Sequence, residues 1–242
     1  MEDKTFAERF REELAKMKEM TWGARVQYFW DYYKVVLVIL AAVIFVISTV
    51  VSVYHNMQLN QVFTTYWVNS NGLAVDTESI QEAFKQYLGG LGSKDVVLVD
   101  TSVMIDNEHM SQMTMASQMK LTTLIATGDI DLVLFDEEMY QQFLSSGGLM
   151  PVSEFCTDEQ LKRWSDLLVE DTCDTLDDEG NTVSRTDLYA VLVNDSPVLK
   201  ETGAYPEGNV YAVFVPAGKH PDAAAKFIDF LMDPAGAQEA DA

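Results

Sequence analysis

The hydropathy of this chain changes character at Val35. From there to Val53 it reads VVLVILAAVIFVISTVVSV, with no charge and nothing more polar than Ser48, Thr49 and Ser52. At ~1.5 Å per residue, such a helix just crosses a ~30 Å hydrocarbon core. Lys34 precedes it, and Tyr28, Phe29, Trp30, Tyr32 and Tyr33 crowd the same border. Tyr54 and His55 mark the other, as rings do where headgroups meet water. The run outlasts the ~7–15-residue core of a signal peptide and follows a long mixed-charge leader. The pattern therefore predicts a transmembrane helix over residues 35–53. Arg25 and Lys34 flank its N-terminal side and no Lys or Arg recurs until Lys85. By the positive-inside bias, residues 1–34 are expected in the cytoplasm and the C-terminal part outside.

Before the span, FAERFREELAKMKEM sets Phe6, Phe10, Leu14 and Met17 at helical spacing. An amphipathic leader helix follows, interrupted at Gly23, which either contacts a cytoplasmic partner or lies on the inner membrane face. After the span, a linker over residues 54–61 leads into a domain over residues 62–242 where strand and helix patterns alternate. QVFTTYWV (61–68) reads as a strand and residues 76–88 as a helix closed by Gly89 and Gly90. KDVVLVDTSVMI (94–105) reads as a second strand, followed by a Met-rich helix to Thr127. DIDLVLF (129–135) reads as a buried strand and residues 139–144 as a helix. Further on come a helix over 159–168, a turn at 177–181 feeding a strand through Tyr189, a last strand over 209–215 and a helix from Pro221. The alternation predicts an external three-layer α/β domain whose helices cover a largely parallel sheet.

Charge narrows the function classes. The chain holds 16 basic and 38 acidic residues, a formal charge of −22. Seven of each sign fall within residues 1–34, so the other 9 basic and 31 acidic residues follow the span. Such a field repels nucleic acid and anionic lipid and attracts cations. Nucleic acid is excluded as a partner. The membrane is expected as one.

Two stretches carry a family resemblance. ATGDIDLVLFDEEMYQQFLSSGGLMPVSEF (126–155) resembles the segment of bacterial extracellular solute-binding proteins where a helix and Gly-Asp lead into a buried strand, a helix and a Gly turn. YAVFVPAGKHPDAAAKFIDFLMDPAGAQE (211–239) resembles the place where those proteins return a strand to the sheet and add a helix. The two occur in the family's order, and the resemblance covers about half of the segment after the span. It implies a membrane-anchored, shortened lobe of the periplasmic-binding-protein type in a bacterial cell. The chain departs from the family in having Ile130 where Pro is usual and in lacking length between Glu154 and Tyr189. That deficit removes much of a second lobe.

In open α/β sheets, ligands sit beyond the carboxyl ends of the strands. That rule points to Asn69, Ser70 and Asn71 after the first strand, Asp106 and Asn107 after the second, and Asp136 and Glu137 after the third. Each of these residues equally suits ordinary loop and helix-cap chemistry. Trp67 and Tyr189 are candidates to stack on a sugar or peptide, or else core residues. His55, His109 and His220 stand apart, and neither H-E-x-x-H nor G-x-S-x-G occurs. No enzyme, cofactor or metal is expected. Gly89, Gly90 and Gly92 precede a strand, which suits a turn rather than a phosphate loop. In HMSQMTMASQM, helical geometry puts His109, Met110 and Met113 on one face, read as core, and Met115 and Met119 nearly opposite, so the soft ligands do not converge for Cu(I). The acidic stretch from Asp174 to Glu179 lacks calcium-loop spacing. Cys156 and Cys173 are either a disulfide or two buried thiols.

Two functions follow as expectations. One is a tethered solute-binding-like module that presents a surface to a small solute (sugar or peptide) or a protein partner. The other is a non-catalytic structural or assembly protein of a membrane complex that uses a degenerate binding fold. A cleft with convergent polar and aromatic groups favours the first, and a filled cleft beside an exposed apolar patch the second.

Overall fold

The computed structural model describes residues 22–56, 59–107, 109, 111–176 and 182–236. The amphipathic leader and the turn at 177–181 lie outside the described residues, apart from the leader's last stretch from Trp22. The chain divides into two compact units, Met1–Gln58 and Leu59–Ala242.

In the first unit, one helix, α1 (Trp22–Asn56), runs without a break. Gly23 is its second described residue, and the leader expected before it lies outside the described residues. Its Lys34–Ser52 stretch has a mean hydropathy of 3.0 over 19 residues, and its large apolar side chains from Val35 to Val51 are exposed. This is one N-terminal helix long and apolar enough to serve as a membrane anchor or a signal sequence. Helix persists to Asn56 and β1 begins at Asn60, both within the linker expected over 54–61.

The second unit is mixed α/β. Its strands are β1 (Asn60–Trp67), β2 (Asp95–Asp100), β3 (Leu132–Asp136), β4 (Leu168–Leu176), β5 (Thr182–Leu192) and β6 (Val210–Phe214). Its helices are α2 (Thr77–Leu88), α3 (Gln112–Thr127), α4 (Glu137–Ser145), α5 (Asp158–Arg163), α6 (Pro197–Thr202) and α7 (Pro221–Met232). The sheet order is β2-β1-β3-β6-β5-β4. β2, β1 and β3 are parallel, whereas β6, β5 and β4 join antiparallel, so the sheet is mixed rather than largely parallel. The reason is β6: it enters beside β3 from the opposite end, and β5 and then β4 each reverse direction beside it. The second strand also ends at Asp100, five residues earlier than its apolar pattern suggested.

Alternation along β1 divides the core in two. Phe63 and Trp67 face a layer built from α2, α6 and α7, with Phe84, Phe227 and Phe230. Tyr66 and Val68 face the opposite layer, with Leu121 of α3 and Tyr140 of α4. The first layer is an aromatic cluster, with Phe63, Phe84 and Phe227 at centroid separations of 4.8 to 5.2 Å. Such rings together contribute more than their buried area alone. Cys156 packs with the first cluster and Cys173 with the second. Both are free thiols, and the sheet lies between them.

Helix ends follow local chemistry. Asp76, Ser111, Asp136, Thr157 and Ser196 each accept a backbone N–H in the first turn of the helix they precede. Gly128 closes α3 at φ +67°, where a Cβ would lie 2.1 Å from the Ala217 carbonyl oxygen. That approach brings the α3–β3 corner against the turn between β6 and α7.

At this corner the carboxylate of Asp131 is buried. It accepts N–H bonds from Thr64 (2.9 Å), Lys219 (2.9 Å) and His220 (2.8 Å), and His220 Nδ1 lies 3.3 Å away. Removing the acceptor strands three backbone donors. Asp131→Ala is expected to destabilise the domain by about 3 kcal/mol, and Asp131→Asn, which keeps one acceptor oxygen, by roughly half as much. Urea unfolding of the detergent-solubilised chain, followed by tryptophan fluorescence, measures both. Equal midpoints for wild type and Asp131→Ala would refute the role assigned to this carboxylate.

Candidate functional site

Strand order reverses between β1 and β3, the crevice where an open α/β sheet takes ligands. Asn69 sits just beyond β1 at φ +57°, the single non-glycine residue with positive φ among those described. Asn is among the few side chains that tolerate this region. Its Nδ2 donates to Asp136 Oδ2 at 2.8 Å, and its Oδ1 accepts the Ile105 N–H at 2.7 Å. The other oxygen of Asp136 caps α4 through the Met139 N–H at 2.9 Å. Asn69, Asp136 and the loop after β2 therefore form one bonded unit.

The remaining candidates are similarly engaged. Ser70 is buried and donates to the Trp67 carbonyl (3.0 Å), while the backbone N–H of exposed Asn71 donates to that of Ala204 (2.7 Å). Asp106 accepts the His109 N–H at 3.0 Å and faces His109 Nδ1 at 3.2 Å. Asn107 donates to Glu138 and Gln142. Glu137 accepts from the hydroxyl of Tyr211 and from Asn209 Nδ2 (3.1 Å). Trp67 and Tyr189 are both buried, in core clusters on opposite faces of the sheet. They do not come together over one ligand. The indole Nε1 of Trp67 has no hydrogen-bond partner among the described residues.

Several residues here were not foreseen. The hydroxyl of Tyr205 donates to the Val68 carbonyl (2.8 Å), with that of Leu134 at 3.3 Å, and so plugs the crevice between β1 and β3. Burial, then the nearby Asp136 charge, pushes the phenol well above its usual range. Asn194 and Asn209 bond to each other at 2.6 Å, and Asn194 also accepts the Val210 N–H at 2.7 Å. Both stand beside apolar strand patterns, Asn194 after β5 and Asn209 before β6. With β6 antiparallel, these positions share the edge where β1 and β3 end. That was the available signal.

A second polar unit ties α4 to the antiparallel half of the sheet. Tyr140 and Tyr211 stack with centroids 4.2 Å apart and planes 5° from parallel. Tyr140 donates to Asp171 at 3.1 Å and Tyr211 to Glu137. Burial, then the hydrogen bond to Glu137, pushes the Tyr211 phenol up to about 12.

Two concavities bear on function. A cleft of about 570 Å³ lies beside the bonded unit, among Asn69, Met104, Asp106, His109, Met113 and Glu138. A larger groove of about 990 Å³ runs along α2, α6 and α7, past Ile80, Tyr87, Val198 and Phe230, away from the strand ends. Met113, read from the sequence as core, is 76% exposed in the cleft wall. It falls in the first turn of α3, where the adjacent Thr114 is the residue turned inward.

No family model, curated protein or solved structure matches the chain.

Two predictions follow from this geometry. Asn69→Gly loses both side-chain bonds but keeps a backbone suited to φ +57°, whereas Asn69→Ala loses them and adds strain. The alanine variant is expected to be less stable than the glycine variant by about 1 kcal/mol. Equal urea midpoints would show that φ is not what selects Asn here. Glu137 is held below its ordinary value of 4.5 by the Tyr211 hydroxyl, against a smaller effect of burial, with Asn209 and Gln141 assisting. Because the folded value is the depressed one, the stabilisation is complete above the ordinary value and is lost as pH falls through the folded one. Thermal midpoints between about pH 5 and pH 3 should fall more steeply for wild type than for Glu137→Gln. Parallel profiles would contradict this.

Proposed function

We propose that this chain is a membrane-anchored, non-catalytic docking module. In this reading a shortened solute-binding-like lobe outside the cell serves protein contacts within a membrane complex. The carrying observation is the strand-end crevice, filled by Tyr205 and by the Asn69–Asp136 unit, beside a helix that is apolar on two sides. A solute in a pocket is held by polar groups that need partners, and here the side chains of Asn69, Ser70, Asp106, Asn107, Asp136 and Glu137 already have them.

α3 supplies the docking face. It carries one charge, Lys120, in QMTMASQMKLTTLIAT. Leu121 and Thr114 are buried beneath it, yet Met115 and Met119 on its other side are 58% and 72% exposed, flanked by exposed Thr122 and Ala126. A helix that is apolar beyond its core stripe is normally covered on both sides. Methionine adapts to varied apolar partners. The charge argues for the kind of partner: 31 acidic against 9 basic residues after the span disfavour a second copy or an anionic lipid surface. They favour an apolar protein segment flanked by Lys and Arg. The family resemblance and the return of β6 beside β3, followed by α7, support the origin of the fold as a binding lobe. The single apolar helix and its basic N-terminal flank support the anchored, outward orientation.

A photo-crosslinking residue at Met115 or Met119, in the full chain in its native membrane, tests this. The expected result is one discrete protein adduct whose crosslinked peptide is apolar with basic flanks, lost with Met115→Asp/Met119→Asp and absent when the probe sits at exposed Glu82. Adducts to phospholipid, to a second copy of the chain, or none at all would overturn the reading.

A further inference from the structure

The cleft beside the strand ends adds Met104, from outside the helix, to two donors that the helical pattern already placed on one face, His109 and Met113. Met113 enters from the first turn of α3, His109 from the turn before it, and Met104 from the loop after β2. Met104 and Met113 are 51% and 76% exposed, so neither thioether is spent on the core. His109 is oriented by Asp106, whose two oxygens face its backbone N–H at 3.0 Å and its Nδ1 at 3.2 Å. That is the carboxylate–imidazole arrangement that fixes a ring and leaves Nε2 to bind. The hard donors in the cleft have partners of their own: Asp106 has His109, Glu138 Oε1 has Asn107 at 2.9 Å, and Ser111 and Thr114 have each other at 3.0 Å.

We propose that Met104 Sδ, Met113 Sδ and His109 Nε2 form a binding site for a soft monovalent metal ion, Cu(I) or Ag(I). Two thioethers and one imidazole are a donor set for such an ion and a poor one for Mg²⁺, Ca²⁺ or Zn²⁺, which take oxygen or nitrogen and thiolate. Three flexible bonds in each methionine let the sulfurs close on one ion. The acidic field of the domain concentrates cations near it. The site is independent of the docking reading, which uses the other side of α3.

The test is a titration of the full chain, in detergent micelles and chloride-free buffer, with Ag(I), following the ¹³C-labelled methyl groups of methionine. Cys156 and Cys173 are free thiols that compete for Ag(I), so the titration runs past the equivalents they consume. The methyl signals of Met104 and Met113, assigned with Met104→Leu and Met113→Leu, are expected to shift together and saturate at one ion per chain. Those of Met115 and Met119 stay in place. His109→Phe should weaken the response at least about tenfold, and Ca²⁺ or Mg²⁺ should move neither signal. Methionine signals that all move at the same concentration would show indiscriminate thioether binding and overturn the proposal, as would the absence of a shift at Met104 and Met113. Because the methyls report the site directly, thiol occupancy does not mask either outcome. Crosslinking from Met115 or Met119 is unchanged by Met104→Leu, which separates failure here from failure of the docking face.

Discussion

Three parts of the sheet meet at one buried carboxylate. Asp131 takes backbone N–H bonds from Thr64 in β1 and from Lys219 and His220 where the chain leaves β6 for α7, while standing at the entrance to β3. Its own N–H donates to the Thr64 carbonyl (2.9 Å), and its carbonyl accepts from Val215 (3.2 Å). Sequence separations of 67 and 89 residues are closed at a single side chain. A Cβ at Gly218 would lie 3.0 Å from the Asp131 Cα, so the two turns approach as closely as they do because Gly218 has none. The junction adds side-chain bonds to the β3–β6 ladder that joins the antiparallel half to the parallel half. The position of α7, and with it the Phe84–Phe227 contact, depends on it.

That junction also places the opposite edge of the sheet. With β6 held antiparallel to β3 in register, Tyr211 and Asn209 reach Glu137 at the N-terminus of α4, and Tyr205 reaches the crevice between β1 and β3. The polar groups at the strand ends therefore close on one another. What remains open is soft: the thioethers of Met104 and Met113 on one side of α3 and those of Met115 and Met119 on the other. In an acidic domain, an almost uncharged helix with methionines on both exposed flanks is a local exception. The two proposals divide it between a cleft and a face.

Much of the fold was legible because local chemistry and burial agreed. Asp76, Pro221, Gly89 and Gly128 mark helix ends where the spacing expected them, and DIDLVLF is the buried centre of the sheet. The misreadings share one cause. Val103, Met104 and Ile105 continue an apolar run, but the ladder ends at Asp100 because Val103 and Ile105 turn into the α3–α4 layer and bond to Asn69 instead. The orientation of β6 is likewise invisible in a strand pattern, since alternation carries no direction. At the site, the residues beyond the strand ends do gather, but the sequence does not show that they bond to each other. Tyr205, 71 residues from Leu134 in the chain, gives no local sign of filling the crevice. Asn69 could be named from its place after β1, but its positive φ could not.

The β4–β5 hairpin bears on what such a domain can bind. Its two strands pair along their whole length, but only its last residues, Val191 and Leu192, pair with β6. A small solute needs most of its surface enclosed to be held tightly, which a plugged crevice does not offer. A protein contact needs a different thing: a face of about 800 Å² per partner with an apolar centre and a polar rim. A metal ion needs less still, three donors and a ring held in place. A filled crevice therefore disfavours the one kind of ligand that requires enclosure, while leaving intact the two kinds of contact that an exposed helix can make.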